Sequence, residues 1–122
     1  MPIRRQLLRF LSVGVLNTLV GLTAIYCLRA SGASEVAANA GGYAIALVAS
    51  FITNKRWTFE SEGNWGRHLL GFLSIVLFAY TLNLLTVLAL LNWTHVDPRI
   101  CQAAGIVPYT ATVFVLSWWL FR

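Results

Sequence analysis

The sequence predicts an all-α membrane protein: four transmembrane helices, built as two helix hairpins in a parallel repeat, with both termini cytoplasmic. Three observations carry this. The 122 residues are 58% hydrophobic and only 11% charged, against roughly 25% charged in an average soluble domain. With about 20 apolar residues needed per helical span, the chain holds four crossings and little else. Its basic residues also sit at the ends of the apolar runs, where they set orientation and meet anionic head groups.

The first span is expected over about 7–28. Arg4, Arg5 and Arg9 before an apolar run resemble a signal peptide. The run is longer than a typical h-region and no small-x-small cleavage site follows, so it reads as a retained span. Span two is expected over about 36–53, after the tight turn Ser31-Gly32-Ala33-Ser34. Span three covers about 69–91 and span four about 100–121, the latter introduced by Asp97-Pro98, a helix-start signal. Only the connection 54–68 is long enough to carry local structure, and it holds Glu60 and Glu62. The whole reads as a single domain, 1–122, with no soluble module.

With the amino terminus inside, Arg4, Arg5, Arg9, Lys55, Arg56, Arg67 and Arg122 are cytoplasmic and only Arg29 and Arg99 lie outside. Seven against two satisfies the positive-inside rule. The halves echo each other at a spacing of 62 to 63 residues: Phe10-Leu11-Ser12-Val13 returns as Phe72-Leu73-Ser74-Ile75, Asn39-Ala40-Gly41-Gly42 as Gln102-Ala103-Ala104-Gly105, and Trp57-Thr58-Phe59 as Trp119-Leu120-Phe121. Three weak matches in register imply a duplicated hairpin, and two spans per half give both copies the same membrane orientation.

The net charge of +5 belongs to topology and lipid head groups; nucleic acid is not expected as a partner. No span interior carries Asp, Glu, Lys or Arg, which argues against an ion-coupled carrier built on a buried carboxylate. That sets aside a small multidrug-type exporter, whose first span needs a membrane-embedded Glu where this one has Asn17. No nucleophile–base pair is present, and His68 and His95 fall on opposite membrane faces. Neither an enzyme nor a metal or cofactor site is expected. Cys27 and Cys101 are too few for a disulfide scaffold; a pairing between them stays open beside the reading as small wall residues.

What the spans contain is amides and tyrosines. In span two, Asn39, Tyr43, Ala46, Ser50, Asn54 and Trp57 recur at intervals of three or four, within a sector of about 60 to 80 degrees. In span one, Gly14, Asn17, Gly21 and Ala24 form a small-residue face with one amide. Span three offers Tyr80 and Asn83, span four Gln102 and Tyr109. Amides and small residues also serve plain helix packing, and for Asn17 or Asn83 alone that reading is as good as a functional one. The stripe on span two exceeds what one helix contact requires. It ends in Asn54-Lys55-Arg56-Trp57-Thr58-Phe59, which reads either as an interfacial anchor or as a phosphate site, with Arg9 at the same depth on span one.

Three stretches resemble the GtrA-like membrane proteins: Phe10-Leu11-Ser12-Val13-Gly14-Val15-Leu16-Asn17-Thr18, Ala38-Asn39-Ala40-Gly41-Gly42-Tyr43, and Ser50-Phe51-Ile52-Thr53-Asn54-Lys55-Arg56-Trp57-Thr58-Phe59. The likeness spans essentially the whole chain. It implies movement of a polyprenyl-phosphate-linked monosaccharide from the inner to the outer leaflet of the bacterial cytoplasmic membrane, beside a glycosyltransferase that makes the lipid-linked sugar. Arg9, Lys55 and Arg56 would then hold the lipid phosphate. Asn17, Asn39, Tyr43, Ser50, Asn54, Trp57 and Asn83 would offer contacts along the sugar's path. The second half departs from the pattern, since Ser117-Trp118-Trp119-Leu120-Phe121 lacks the amide and the basic residues. Four helices enclose little volume, so a homo-oligomer is expected. The rival within the resemblance is a non-transporting partner that recruits or stabilises a membrane glycosyltransferase.

Overall fold

The computed structural model describes residues 2–122 and is all-helical. Helix α1 runs Ile3–Ala30, α2 Glu35–Thr53, α3 Trp65–Trp93 and α4 Pro98–Leu120, with a π-helical turn Asn54–Thr58 prolonging α2. All four are long and apolar enough to cross a membrane. The connection between the middle spans is shorter than 54–68, because the π turn and an early start of α3 leave only 59–64 outside helix. Asn64 sets that start: its side chain accepts from the Arg67 amide at 3.0 Å and caps the helix.

Six hydroxyls inside the first and third spans are satisfied locally. Ser12, Thr18 and Thr23 in α1, and Ser74, Thr81 and Thr86 in α3, each donate to the carbonyl four residues earlier, at 2.8–3.0 Å. Folding back in this way hides a polar group from hydrocarbon without a second helix.

The chain divides into two compact units, one ending at Glu62 and the other running Gly63–Arg122, and each is a helix hairpin. In the first, α1 ends with Gly32 at φ 102°, a conformation that favours glycine. Ala33 N–H bonds the Leu28 carbonyl at 3.0 Å and Gly32 N–H that of Arg29 at 3.1 Å, which uses up orphan carbonyls of the last turn. Ser34 then caps α2 by accepting from the Ala37 amide at 3.1 Å. The helices meet through glycine. A Cβ on Gly42 would lie 2.3 Å from Ile25 Cγ1 and 3.0 Å from the Gly21 carbonyl oxygen. Of the small-residue face on α1, Gly21 makes this approach while Gly14 faces open space.

The second hairpin is closed by Asp97, whose carboxylate accepts from the Arg99 amide at 2.8 Å with Pro98 opening α4. Here a Cβ on Gly105 would lie 2.1 Å from Asn83 Oδ1 and 2.7 Å from Val87 Cγ2. Asn83 and Val87 follow Gly21 and Ile25 by 62 residues, and Gly105 follows Gly42 by 63. Each hairpin taken by itself thus closes on corresponding positions. Buried positions echo in the same way: Phe10 and Phe72, Ala38 and Cys101, Phe51 and Phe114, Phe59 and Phe121. At the end of the second hairpin His68 meets Phe121 edge-on, with ring centroids 5.2 Å apart. Cys27 is exposed and Cys101 buried, both as free thiols.

Candidate functional site

The densest polar structure lies where α2 gives way to its π turn. A π turn holds one more residue than an α turn would, and such bulges are frequent at functional sites. Its hydrogen bond runs from the Phe59 amide to the Asn54 carbonyl at 2.9 Å, and the Ser61 amide reaches the Lys55 carbonyl at 2.8 Å. The extra residue alters the side-chain order. Asn54, Lys55 and Thr58 are all buried, while Arg56 and Trp57 are exposed.

Two linked contacts hold the turn. Asn54 Nδ2 donates to Ser50 Oγ at 3.2 Å, and Thr58 Oγ1 donates to Asn54 Oδ1 at 2.7 Å. The three residues stand four apart, so successive turns of one face form a hydroxyl–amide–hydroxyl thread. Asn54 keeps one N–H and one lone pair beyond these bonds. The Lys55 ammonium is enclosed and donates to the Ser61 carbonyl at 3.3 Å, which ties the following loop to the turn.

Arg9 approaches from α1. Its guanidinium carbon lies 4.9 Å from the centroid of the Trp57 ring, within cation–π range. Nη1 donates to the Trp57 carbonyl at 2.7 Å and to Glu60 Oε1 at 2.9 Å. The Arg9 side chain is 15% exposed and that of Glu60 56%. Glu60 has φ 48°, the left-handed region that few non-glycine residues adopt. Such strain persists when the surroundings over-determine it, and here the loop is fixed on both sides, by Lys55–Ser61 and by Arg9.

The structure therefore brings Arg9 to Trp57 and Ser50 to Asn54. The rest of the stripe does not join that cluster: Asn39 and Tyr43 stand exposed on the far half of α2. Asn17 is half-buried with Oδ1 lacking a hydrogen-bond partner, and Asn83, in the other unit, has its Oδ1 unpartnered against Gly105. Thr58, Glu60 and Ser61 were not singled out as site residues by sequence. Thr58 was readable from its i+4 spacing to Asn54. The Arg9–Glu60 pair joins positions 51 apart, and no local pattern announces it.

Four apolar helices, hydroxyls folded back on their own backbones and a cation-rich polar knot at one helix end define a multi-pass membrane protein. The chain matches the GtrA/DPMS transmembrane domain model over residues 9–121 and belongs to that family. A bactoprenol-linked glucose translocase of Shigella phage SfV is 35% identical to it over 71 residues, 56% of this chain and 59% of that protein. A protein of the same name from Shigella phage SfII is 34% identical over 71 residues, with the same coverage. The match thus spans less than two thirds of these curated relatives.

Proposed function

We propose that this protein moves a polyprenyl-phosphate-linked monosaccharide from the inner to the outer leaflet of the bacterial cytoplasmic membrane, for synthesis or modification of surface polysaccharide. The observation that carries the reading is the end of the first hairpin, where Arg9, Lys55 and Arg56 gather around the π turn in a member of the GtrA/DPMS family. Arg9, Lys55 and Arg56 attract the lipid phosphate there, with Lys55 acting from behind the turn as a buried positive charge. Seven of nine basic residues on one side of the predicted topology put this end, and both termini, at the cytoplasmic face. The shared offsets of the two hairpins support a parallel duplication.

Above the phosphate, Ser50, Trp57, Tyr43, Asn39 and Asn17 supply polar contacts for sugar hydroxyls, while the buried Asn54 holds the turn from within. Each hydroxyl left unpaired in hydrocarbon costs several kcal/mol, on the order of 2–7, so passage needs such groups while the isoprenoid tail stays in lipid. Consumption of the lipid-linked sugar at the outer face draws the movement downhill without a coupling carboxylate. A polyprenyl-phosphate glycosyltransferase supplies the substrate, and the protein works as a homo-oligomer.

The test is reconstitution of the purified protein in vesicles with a labelled polyprenyl-phosphoryl sugar, scoring protection from an external reagent. Protein-dependent acceleration is expected, slowed by Asn54→Ala and Arg56→Ala at unchanged membrane insertion. No acceleration over empty vesicles would sink the translocation reading and leave the glycosyltransferase-partner role. Equal rates in the two variants would keep transport and remove this site.

A further inference from the structure

The contacts of Arg9 use the guanidinium unevenly. Both of its hydrogen bonds, to the Trp57 carbonyl and to Glu60, leave from Nη1. Among the described residues neither Nη2 nor Nε has a hydrogen-bond partner. Nε–H and Nη2–H point the same way along one edge of the guanidinium plane and form the fork that grips two oxygens of one acid group. The indole of Trp57 covers the plane, and the side chain is largely enclosed yet not sealed.

From this geometry we infer that Glu60 is a positioning residue for anion recognition: with the Trp57 carbonyl it clamps Nη1, so that the Nε–Nη2 edge of Arg9 is presented ready-made to the two non-bridging oxygens of a phosphodiester. The inference rests on the lipid-phosphate reading above and adds how the group is held. A sugar joined to a lipid through one phosphate is a phosphodiester, with one negative charge and two equivalent free oxygens, which suits a single guanidinium fork. The left-handed backbone of Glu60 is the local cost of holding the carboxylate there. The Lys55–Ser61 tie fixes the residue that follows it. An arginine already immobilised loses little side-chain entropy when it binds. Glu60 thereby also sets specificity, because a second negative group beside the first would meet its carboxylate.

Equilibrium binding in lipid nanodiscs tests this, using a polyprenyl-phosphoryl glucose and, as the uncharged control, a polyprenyl glucoside of the same tail. Arg9→Lys keeps the charge and loses the fork; it should weaken the phosphodiester roughly tenfold and leave the glucoside unchanged. Glu60→Gln and Glu60→Ala both remove the negative charge, and only Gln keeps an oxygen to receive Nη1. Gln should stay within about twofold of the parent protein and Ala should fall a further several-fold. Thermal midpoints of the two Glu60 variants control for folding, since both lose the same ion pair. If Glu60→Ala binds the phosphodiester as tightly as Glu60→Gln, or tighter than the parent, Glu60 is a bystander or a competitor and the inference falls. If Arg9→Lys matches the parent, the fork is refuted as well. A parent protein that cannot tell the two lipids apart removes the phosphate site itself, a different result from either of these.

Discussion

Substituting Gly42 by Ala tests how the first hairpin is held. The new Cβ would sit 2.3 Å from Ile25 Cγ1, 3.2 Å from Ile25 Cδ1 and 3.0 Å from the Gly21 carbonyl oxygen. Carbon atoms pack at about 3.5–4.0 Å, so the closest of these overlaps by more than about 1 Å. Ile25 has no easy escape, because a β-branched side chain in a helix keeps one χ1 rotamer about 90% of the time. The Gly21 oxygen is backbone and moves only with its helix. The two helices must separate, which forfeits contacts on both sides of the seam. Overpacking of this kind costs about 1–3 kcal/mol. In hydrocarbon no apolar driving force makes up the difference, because lipid solvates the exposed faces as well as the partner helix does. We expect Gly42→Ala to lose about 2 kcal/mol in reversible unfolding by SDS in mixed micelles, followed by tryptophan fluorescence. Adding Ile25→Ala removes the worst clash, so the double variant should be about 1–2 kcal/mol more stable than the sum of the single effects. A Gly42→Ala protein indistinguishable from the parent, or a strictly additive cycle, would refute this account of the seam.

The second hairpin offers the parallel case: Gly105→Ala would drive a Cβ against Asn83 Oδ1 and Val87 Cγ2 and should cost about 1–3 kcal/mol in the same assay. Thr58→Val keeps the shape of a fully buried side chain and strips Asn54 Oδ1 of its donor, for an expected loss of about 1–3 kcal/mol. Ser117→Ala should be neutral or stabilising by up to about 1 kcal/mol, because its buried hydroxyl has no hydrogen-bond partner to lose. Loss of stability there would mean that Ser117 has a partner. Ser34→Ala removes the cap on the Ala37 amide and should lower stability by about 1 kcal/mol, read in the same unfolding assay.

The four helices were legible because a membrane constrains composition more tightly than water does: long apolar runs flanked by Arg leave few alternatives. Caps were legible for the same local reason, since Ser34 and Asp97-Pro98 act within one turn. The face of α2 was only partly so. Angular position places Asn39 and Asn54 together, but burial depends on what stands opposite, and the thread closes only over Ser50, Asn54 and Thr58. Spacing likewise put Gly14 and Gly21 on one face of α1, whereas Gly42 on the facing helix selects Gly21. The π turn left a trace that could have been read. The halves echo at 63 residues around Gly42 and at 62 around Phe59, so the first half holds one residue more between them. A π turn is the structure that absorbs one extra residue without breaking a helix. The Arg9–Glu60 pair left no such trace, being made by tertiary packing alone.

The near-contact of Gly21 and Gly42 has a consequence for leakage. Backbone atoms this close leave no width for a file of water molecules, let alone a pyranose ring, between the first two helices. On the translocation proposed above, the sugar travels along the outside of this hairpin and not between its helices. Asn39 and Tyr43 stand on that outer surface. On that reading a bulky amphiphile whose tail never leaves the bilayer passes beside the glycine seam, where the helices are closest, and not through it.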